Sequence, residues 1–235
     1  MRASLLRRVV AEAVGSALLL VAIVGSGIMA DRLSGGSVGL ALLANALATG
    51  AALVALISSL APVSGAHLNP VVTGSEASQA GMPWSEAGPY ICAQVGGALV
   101  GVALANTMFG EPVFSWSQHA RSGPRMFLSE IVATFGLVVV VRLCARQRPA
   151  LTPFAVASYI AAAYWFTPST SFANPAVTVA RALTDTFTGI AARDVPGFLV
   201  AQALGAAAAT ALVAWLTPEP AAPAGSSGRP ESTRP

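Results

Sequence analysis

The stretch Ser64-Gly65-Ala66-His67-Leu68-Asn69-Pro70-Val71-Val72-Thr73 has a counterpart in the second half of the chain, Ser171-Phe172-Ala173-Asn174-Pro175-Ala176-Val177-Thr178. Asn followed by Pro is a helix start. Asn caps, and Pro takes the first helical position, where its missing N–H and fixed φ cost nothing. A helix that begins inside a membrane leaves its first-turn N–H groups without partners. That is tolerated only where the start is buried in protein or lines water. Two such starts at matching places point to a pore.

The surrounding composition places both starts in a bilayer. Hydrophobic residues make up 54% of the chain, mean hydropathy is +0.67 and charged residues are 10%, against roughly 25% in soluble domains. Apolar stretches long enough to span read at roughly 9–30, 38–60, 88–109, 126–145, 151–168 and 196–216. The first stretch follows Arg7 and Arg8 in the manner of a signal peptide, but its length and its Glu12 argue against cleavage. The net charge of +3 rests on 13 arginines and no lysine, and no nucleic-acid-binding patch is read.

Arg2, Arg7 and Arg8 precede the first span, and Arg142, Arg146 and Arg148 crowd the link between the fourth and fifth. Cytoplasmic loops carry such excess, so both places are expected inside, and an even number of spans returns the C-terminus to the same side. Residues 218–235 are rich in Pro, Ala, Gly and Ser and read as a disordered cytoplasmic tail. A single channel domain then covers 1–217. Cys92 and Cys144 lack metal-ligand spacing and are expected to be small buried packing residues.

An internal repeat organises the spans. Glu12, Asn69 and Gln94 follow one another in the first half, and Glu130, Asn174 and Gln202 in the second. Each half, about 8–110 and about 125–217, holds three spans with an Asn-Pro segment between its second and third. Three is odd, so the halves enter the membrane in opposite senses, as in an inverted repeat. Each Asn-Pro segment reads as a re-entrant loop and half-helix, the two meeting by their N-termini at midplane. Each half-helix presents about half a positive elementary charge there, which disfavours cations. The amides of Asn69 and Asn174 can cap their helices and donate to a passing solute.

Glu12 and Glu130 are acids within spans. A lone charge in lipid costs roughly 3 kcal/mol or more, so both are expected to face the bundle and accept hydrogen bonds from N–H groups of the re-entrant loops. His67 either borders the inner half of the pore or packs. With no nucleophile–base pair or metal cluster, the chain is not read as an enzyme, and no cofactor or metal is expected.

The segments Ala11-Glu12, Ser64 to Pro70, Ala93-Gln94, Ser129-Glu130, Asn174-Pro175-Ala176 and Ala201-Gln202 together resemble the major intrinsic protein family, the aquaporins and aquaglyceroporins, over nearly the whole chain. The resemblance implies an all-α membrane protein of six transmembrane helices plus two re-entrant half-helices. It also implies a homotetramer with one pore per subunit, and passive flow of water or small neutral solutes. Val71 stands where the family usually has Ala, a change expected to reshape the central constriction. The family usually carries Arg three residues after the second Asn, and here that residue is Val177. The other filter positions transfer to Thr49, Ala162 and Ser171. Such a mouth of small side chains would be wider and less polar than a water filter.

Arg181 lies four residues beyond Val177, on the same face and about 5–6 Å further along. It either restores the missing charge or pairs with Asp185. The run from Asn174 to Ile190 is similar to a bacterial branch of the family associated with arsenic resistance, which implies arsenite as a substrate. The sequence thus reads as a passive inner-membrane channel for glycerol-like polyols or metalloid hydroxides, with water. A water-selective channel and an inverted-repeat secondary transporter are the alternatives.

Overall fold

The computed structural model describes residues 3–217, so the stretch 218–235, read above as a tail, lies outside the described residues. Among the described residues the regular structure is all helix, joined by loops. Its elements are α1 (Leu5–Leu33), α2 (Val38–Ser64), α3 (Pro70–Ser78), α4 (Trp84–Met108), α5 (Pro124–Gln147), α6 (Thr152–Phe166), α7 (Pro175–Arg181) and α8 (Val195–Leu216), with 3-10 turns at Pro149–Leu151 and Ala192–Asp194. The starts follow sequence chemistry: Ser37 caps α2 through its hydroxyl, and Asn69 and Asn174 cap α3 and α7 ahead of a Pro in the first turn. Gly65 ends α2 in the left-handed region at φ 92°, a conformation without penalty for glycine.

Helices α1, α2, α4 and α5, and the helical stretch Ala192–Leu216, are long and apolar enough to cross a bilayer. The fifth span of the sequence reading, 151–168, is shorter than expected. It resolves into part of a 3-10 turn and the 15-residue α6, about 22 Å of helix against a hydrocarbon thickness of about 30 Å. Proline sets both limits. Pro149 and Pro153 fall in its first turns, and Pro168 holds Thr167 in the extended region, where the helix stops.

The repeat is visible in the packing. Helix α1 lies against α2 and α4, α5 against α6 and α8, and α2 meets α6 across the bundle. The short helices α3 and α7 each pack against both α4 and α8. Two glycines bring the paired helices close at matching places. A Cβ at Gly97 would collide with the Ala13 carbonyl of α1, and one at Gly205 with the Ile131 carbonyl of α5. This close approach lets the long polar side chains one turn away meet across the α1/α4 and α5/α8 seams.

The interior carries much of the polarity. Glu12, Gln94, Glu130 and Gln202 are all fully buried, whereas Leu6, Val10, Val14 and Leu18 form an exposed apolar stripe along α1. That inversion suits a chain solvated by lipid. The two cysteines correct the expectation of burial: Cys92 is exposed on the outer face of α4 and Cys144 is half-buried, and both are free thiols.

Candidate functional site: a pore between two re-entrant loops

The loop before each Asn is held in a conformation that side-chain-bearing residues seldom adopt. Ala66 and Leu68 have φ of 47° and 49°, and Ser171 and Ala173, at the same offsets from the second Asn, have 50° and 46°. Each left-handed residue costs roughly 1–2 kcal/mol, so the surroundings must over-determine the shape. Glu12 does so in the first loop. Its carboxylate accepts the N–H of His67 (3.0 Å) and of Leu68 (2.7 Å), the Ser64 hydroxyl (2.6 Å) and the Gln94 amide (2.7 Å). Glu130 repeats the arrangement, accepting the N–H of Phe172 and of Ala173 (2.9 Å each) and the Gln202 amide (2.7 Å). Gln94 and Gln202 also donate to Thr73 and Thr178, whose hydroxyls bond back to the carbonyls of Asn69 and Asn174. Each span acid is therefore coupled through one Gln and one Thr to the half-helix of its own repeat.

The half-helices abut by their N-termini. Asn69 Oδ1 accepts the Val71 N–H, and Asn174 Oδ1 accepts those of Ala176 and Val177. Each Asn donates one amide N–H to a carbonyl of the opposite loop. One N–H per Asn remains beyond these bonds, and both side chains line a cavity of about 260 Å³.

That cavity follows α6 from Thr152 through Val156 and Ile160 to Tyr164, a run of about 18 Å at 1.5 Å per residue. Most of its remaining wall is aliphatic, including Leu19, Leu53, Ile57 and Leu137. The polar groups concentrate on the half-helices and their loops. At one end it shares Glu76, Val141 and Ala145 with a second cavity of about 460 Å³ lined by Arg142, Arg146 and Thr217. Glu76 pairs there with Arg142, which also donates to Gln79. The other end is closed in by Thr49, Tyr164, Ser171, Val177 and Arg181.

Three of the four transferred filter residues, Thr49, Ser171 and Val177, face the cavity and are at most 3% exposed. Ala162 does not. It is exposed on the outside of α6, because the cavity face repeats every fourth residue and position 162 lies about 200° around the helix from Ile160. Tyr164 occupies the wall instead, its hydroxyl 3.2 Å from that of Thr49. The fifth span thus presents an aromatic beside Thr49, where the sequence reading expected only the methyl group of Ala162. Val71 also corrects an expectation: its backbone N–H meets Asn69, but its half-buried side chain packs toward Val138, Ala206 and Ala209, and Val72 faces the cavity. Pro70 and Ala176 are buried and Pro175 is half-buried at the helix starts.

Arg181 is buried, lines the cavity, stacks 3.5 Å from the Phe172 ring centroid and donates its Nε to the Thr188 carbonyl. Asp185, its alternative partner, is engaged elsewhere and accepts the Gln118 N–H. His67 also lines the cavity, with Nδ1 3.1 Å from the Thr73 hydroxyl. Val72 and Glu76 escaped the sequence reading although spacing marks them: they lie at the same offsets from Asn69 as Val177 and Arg181 from Asn174. Arg121 escaped it too, and nothing local in its loop signals a role at the mouth.

A family model described as "Major intrinsic protein" matches residues 1–163. Aquaglyceroporin AqpS of Rhizobium meliloti (strain 1021) is 50% identical over 219 residues, 93% of this chain and 93% of that protein. The chain belongs to the major intrinsic protein family. A glycerol uptake facilitator protein of Streptococcus pneumoniae is 36% identical over 92 residues, 34% of this chain and 39% of that protein. The solved aquaglyceroporin from Plasmodium falciparum aligns with a TM-score of 0.68 at 21% identity, covering 89% of this chain and 95% of that one, which establishes the shared fold. Family membership makes this a multi-pass membrane channel, not an enzyme.

Proposed function

We propose that the chain passes small neutral solutes of the glycerol class through the cavity between α6 and the two half-helices, with water as co-permeant. The supporting observation is the passage itself: one cavity runs the length of α6 and is lined by both Asn69 and Asn174. An aliphatic wall facing a polar stripe suits a solute with a carbon backbone and hydroxyl groups. The hydroxyls of Thr49, Tyr164 and Ser171 gather at the mouth, and the Ser171 hydroxyl is buried without a protein partner. Arsenous acid, neutral and bearing three hydroxyls, falls in the same class. The relatives named as aquaglyceroporin and glycerol uptake facilitator favour the polyol.

Val177 leaves the ring without a cation, and Arg181, one turn further out, is the compensating charge. The acids Glu12 and Glu130 are the buttresses of the two loops. Arg7, Arg8, Arg146 and Arg148 assign their end of the bundle to the cytoplasm, with both termini there and the inner membrane as the site. A homotetramer with one pore per subunit is the proposed assembly. The Tyr164 ring is the one feature that favours a narrower, water-selective mouth.

Stopped-flow swelling of proteoliposomes decides between these. Glycerol, urea and arsenous acid should enter without saturation and without dependence on a proton gradient. Water flow without glycerol flow would establish the water-selective reading; saturable, proton-coupled flux would establish a secondary transporter.

A further inference from the structure

We propose that Arg121, in the link between α4 and α5, is a positioning and charge-bearing residue of the outer mouth, acting with Arg181 to exclude protons and cations where Val177 supplies no charge. The inference rests on the channel reading above. Its starting point is Phe172, whose N–H is held by Glu130 and which lines the cavity beside Ser171. Two guanidinium carbons lie against that ring, Arg181 at 3.5 Å and Arg121 at 5.1 Å from its centroid. A guanidinium within about 6 Å of an aromatic face is attracted to it.

Arg121 is also tied to both segments that frame the second half-helix. Its Nε donates to the Gly189 carbonyl (2.8 Å) and one terminal nitrogen to the Ser169 carbonyl (3.2 Å). Ser169 lies on the way into Asn174, and Gly189 adjoins Thr188, the carbonyl partner of Arg181. Arg121 therefore fixes both the ring on which Arg181 stacks and the loop to which Arg181 bonds.

The charge at this end is not cancelled by direct pairing. Among the described residues the ion pairs are Arg8–Glu86, Arg32–Glu111 and Arg142–Glu76, and neither Arg121 nor Arg181 takes part in one. The nearby acids are turned to backbone and amide groups: Glu130 accepts from Phe172, Ala173 and Gln202, and Asp194 accepts the Arg121 backbone N–H at 2.7 Å. At the inner end the repeat-equivalent of Arg181 is Glu76, which is neutralised by Arg142. At the outer end Arg121 and Arg181 lie against one ring, and among the described residues neither is paired with a carboxylate.

The test is proton leak into proteoliposomes under an imposed potential, measured alongside glycerol flux. Removing one charge in a partly desolvated constriction should raise leak roughly tenfold. Arg121→Gln, at a residue that does not line the cavity, should do so with glycerol flux within about twofold of wild type, Arg181→Gln should raise the leak as well, and Arg121→Lys should stay near the wild-type leak. A wild-type leak in Arg121→Gln with glycerol flux retained overturns the proposal. So does an Arg121→Lys variant as leaky as Arg121→Gln, which would assign the residue to packing alone. If the Gln variant fails to fold, Arg121→His replaces it: its leak relative to wild type should be low at pH 5.5, where the imidazole is charged, and high at pH 8.5, and equal ratios at both overturn the proposal. Failure of the underlying channel reading has a different signature, the absence of glycerol flux in the wild type.

Discussion

Asn69 and Asn174 each reach into the other's loop: Asn69 Nδ2 donates to the Ala173 carbonyl and Asn174 Nδ2 to the Leu68 carbonyl, both at 2.8 Å. Each residue thus caps its own half-helix with oxygen and ties the two repeats together with nitrogen. The meeting point of the two half-helices is a reciprocal clamp.

Breaking the clamp should therefore cost more than a helix cap. Asn174→Ala removes the acceptor for two N–H groups and leaves the Leu68 carbonyl without its donor in a buried site. Loss of a cap is worth about 1 kcal/mol and a newly unsatisfied buried group about 1–3 kcal/mol. Thermal unfolding in detergent should show a loss of roughly 2–4 kcal/mol. The Asn69→Ala/Asn174→Ala double variant should lose less than the sum, because the two residues share one network; strict additivity would mean that the halves are not coupled here.

The two buttressing carboxylates should differ in rank. Glu12 accepts four hydrogen bonds, two of them from backbone N–H groups, while Glu130 accepts three. Hydrogen bonds to a charged acceptor contribute about 1.5–3 kcal/mol each. Replacement by Gln turns an amide NH₂ toward groups that are themselves donors. Glu12→Gln should lower the midpoint of unfolding more than Glu130→Gln, and both should reduce glycerol flux at equal protein density. Unchanged midpoints in both would remove the buttress role.

Much of this arrangement was legible in the chain because it depends on local chemistry repeated twice. Asn-Pro marks a helix start wherever it occurs, and Glu12, Gln94, Glu130 and Gln202 stand at matching offsets that only a repeat explains. The errors lie where facing direction decides. Ala162 and Tyr164 are two residues apart on a helix apolar on nearly all sides, so no hydrophobic periodicity distinguishes the cavity wall from the lipid face. Only the cavity-facing series from Thr152 to Tyr164 does so. Val71 and Val72 are chemically identical neighbours, and their roles separate through the rotation of α3 against α5 and α8. Arg121 was invisible because its partners, Phe172, Ser169 and Gly189, are distant in sequence.

The close seams give a packing test. An extra methyl at Gly97 or Gly205 meets a backbone carbonyl rather than a flexible side chain, so relief requires the helices to part. Overpacking of this kind typically costs about 1–3 kcal/mol. Gly205→Ala should lower the thermal midpoint, and the separation of α5 from α8 should weaken the Gln202–Glu130 bond and with it the second loop. A reduced glycerol flux that tracks the loss of stability would follow. Gly197→Ala, at a site where an added Cβ meets nothing, should leave both unchanged.

The mouth gives the test of selectivity. Val177 and Tyr164 both line the cavity, on α7 and α6 respectively, and Ala162 lies outside it. Arginine at position 177 adds length and a cation one turn from Arg181, narrowing the ring against larger solutes while a water molecule still passes. Val177→Arg should therefore retain water flow and lower glycerol and arsenous acid flux at least tenfold, a barrier increase of about 1.4 kcal/mol. Tyr164→Ala should act in the opposite direction, raising urea and glycerol flux. Tyr164→Phe keeps the ring but deletes the hydroxyl beside Thr49, and so separates width from hydrogen bonding. Ala162→Leu is the control and should leave the ratio of glycerol to water flux where it is. A shift with Ala162→Leu and none with Tyr164→Ala would return the filter to the position that sequence transfer alone assigned.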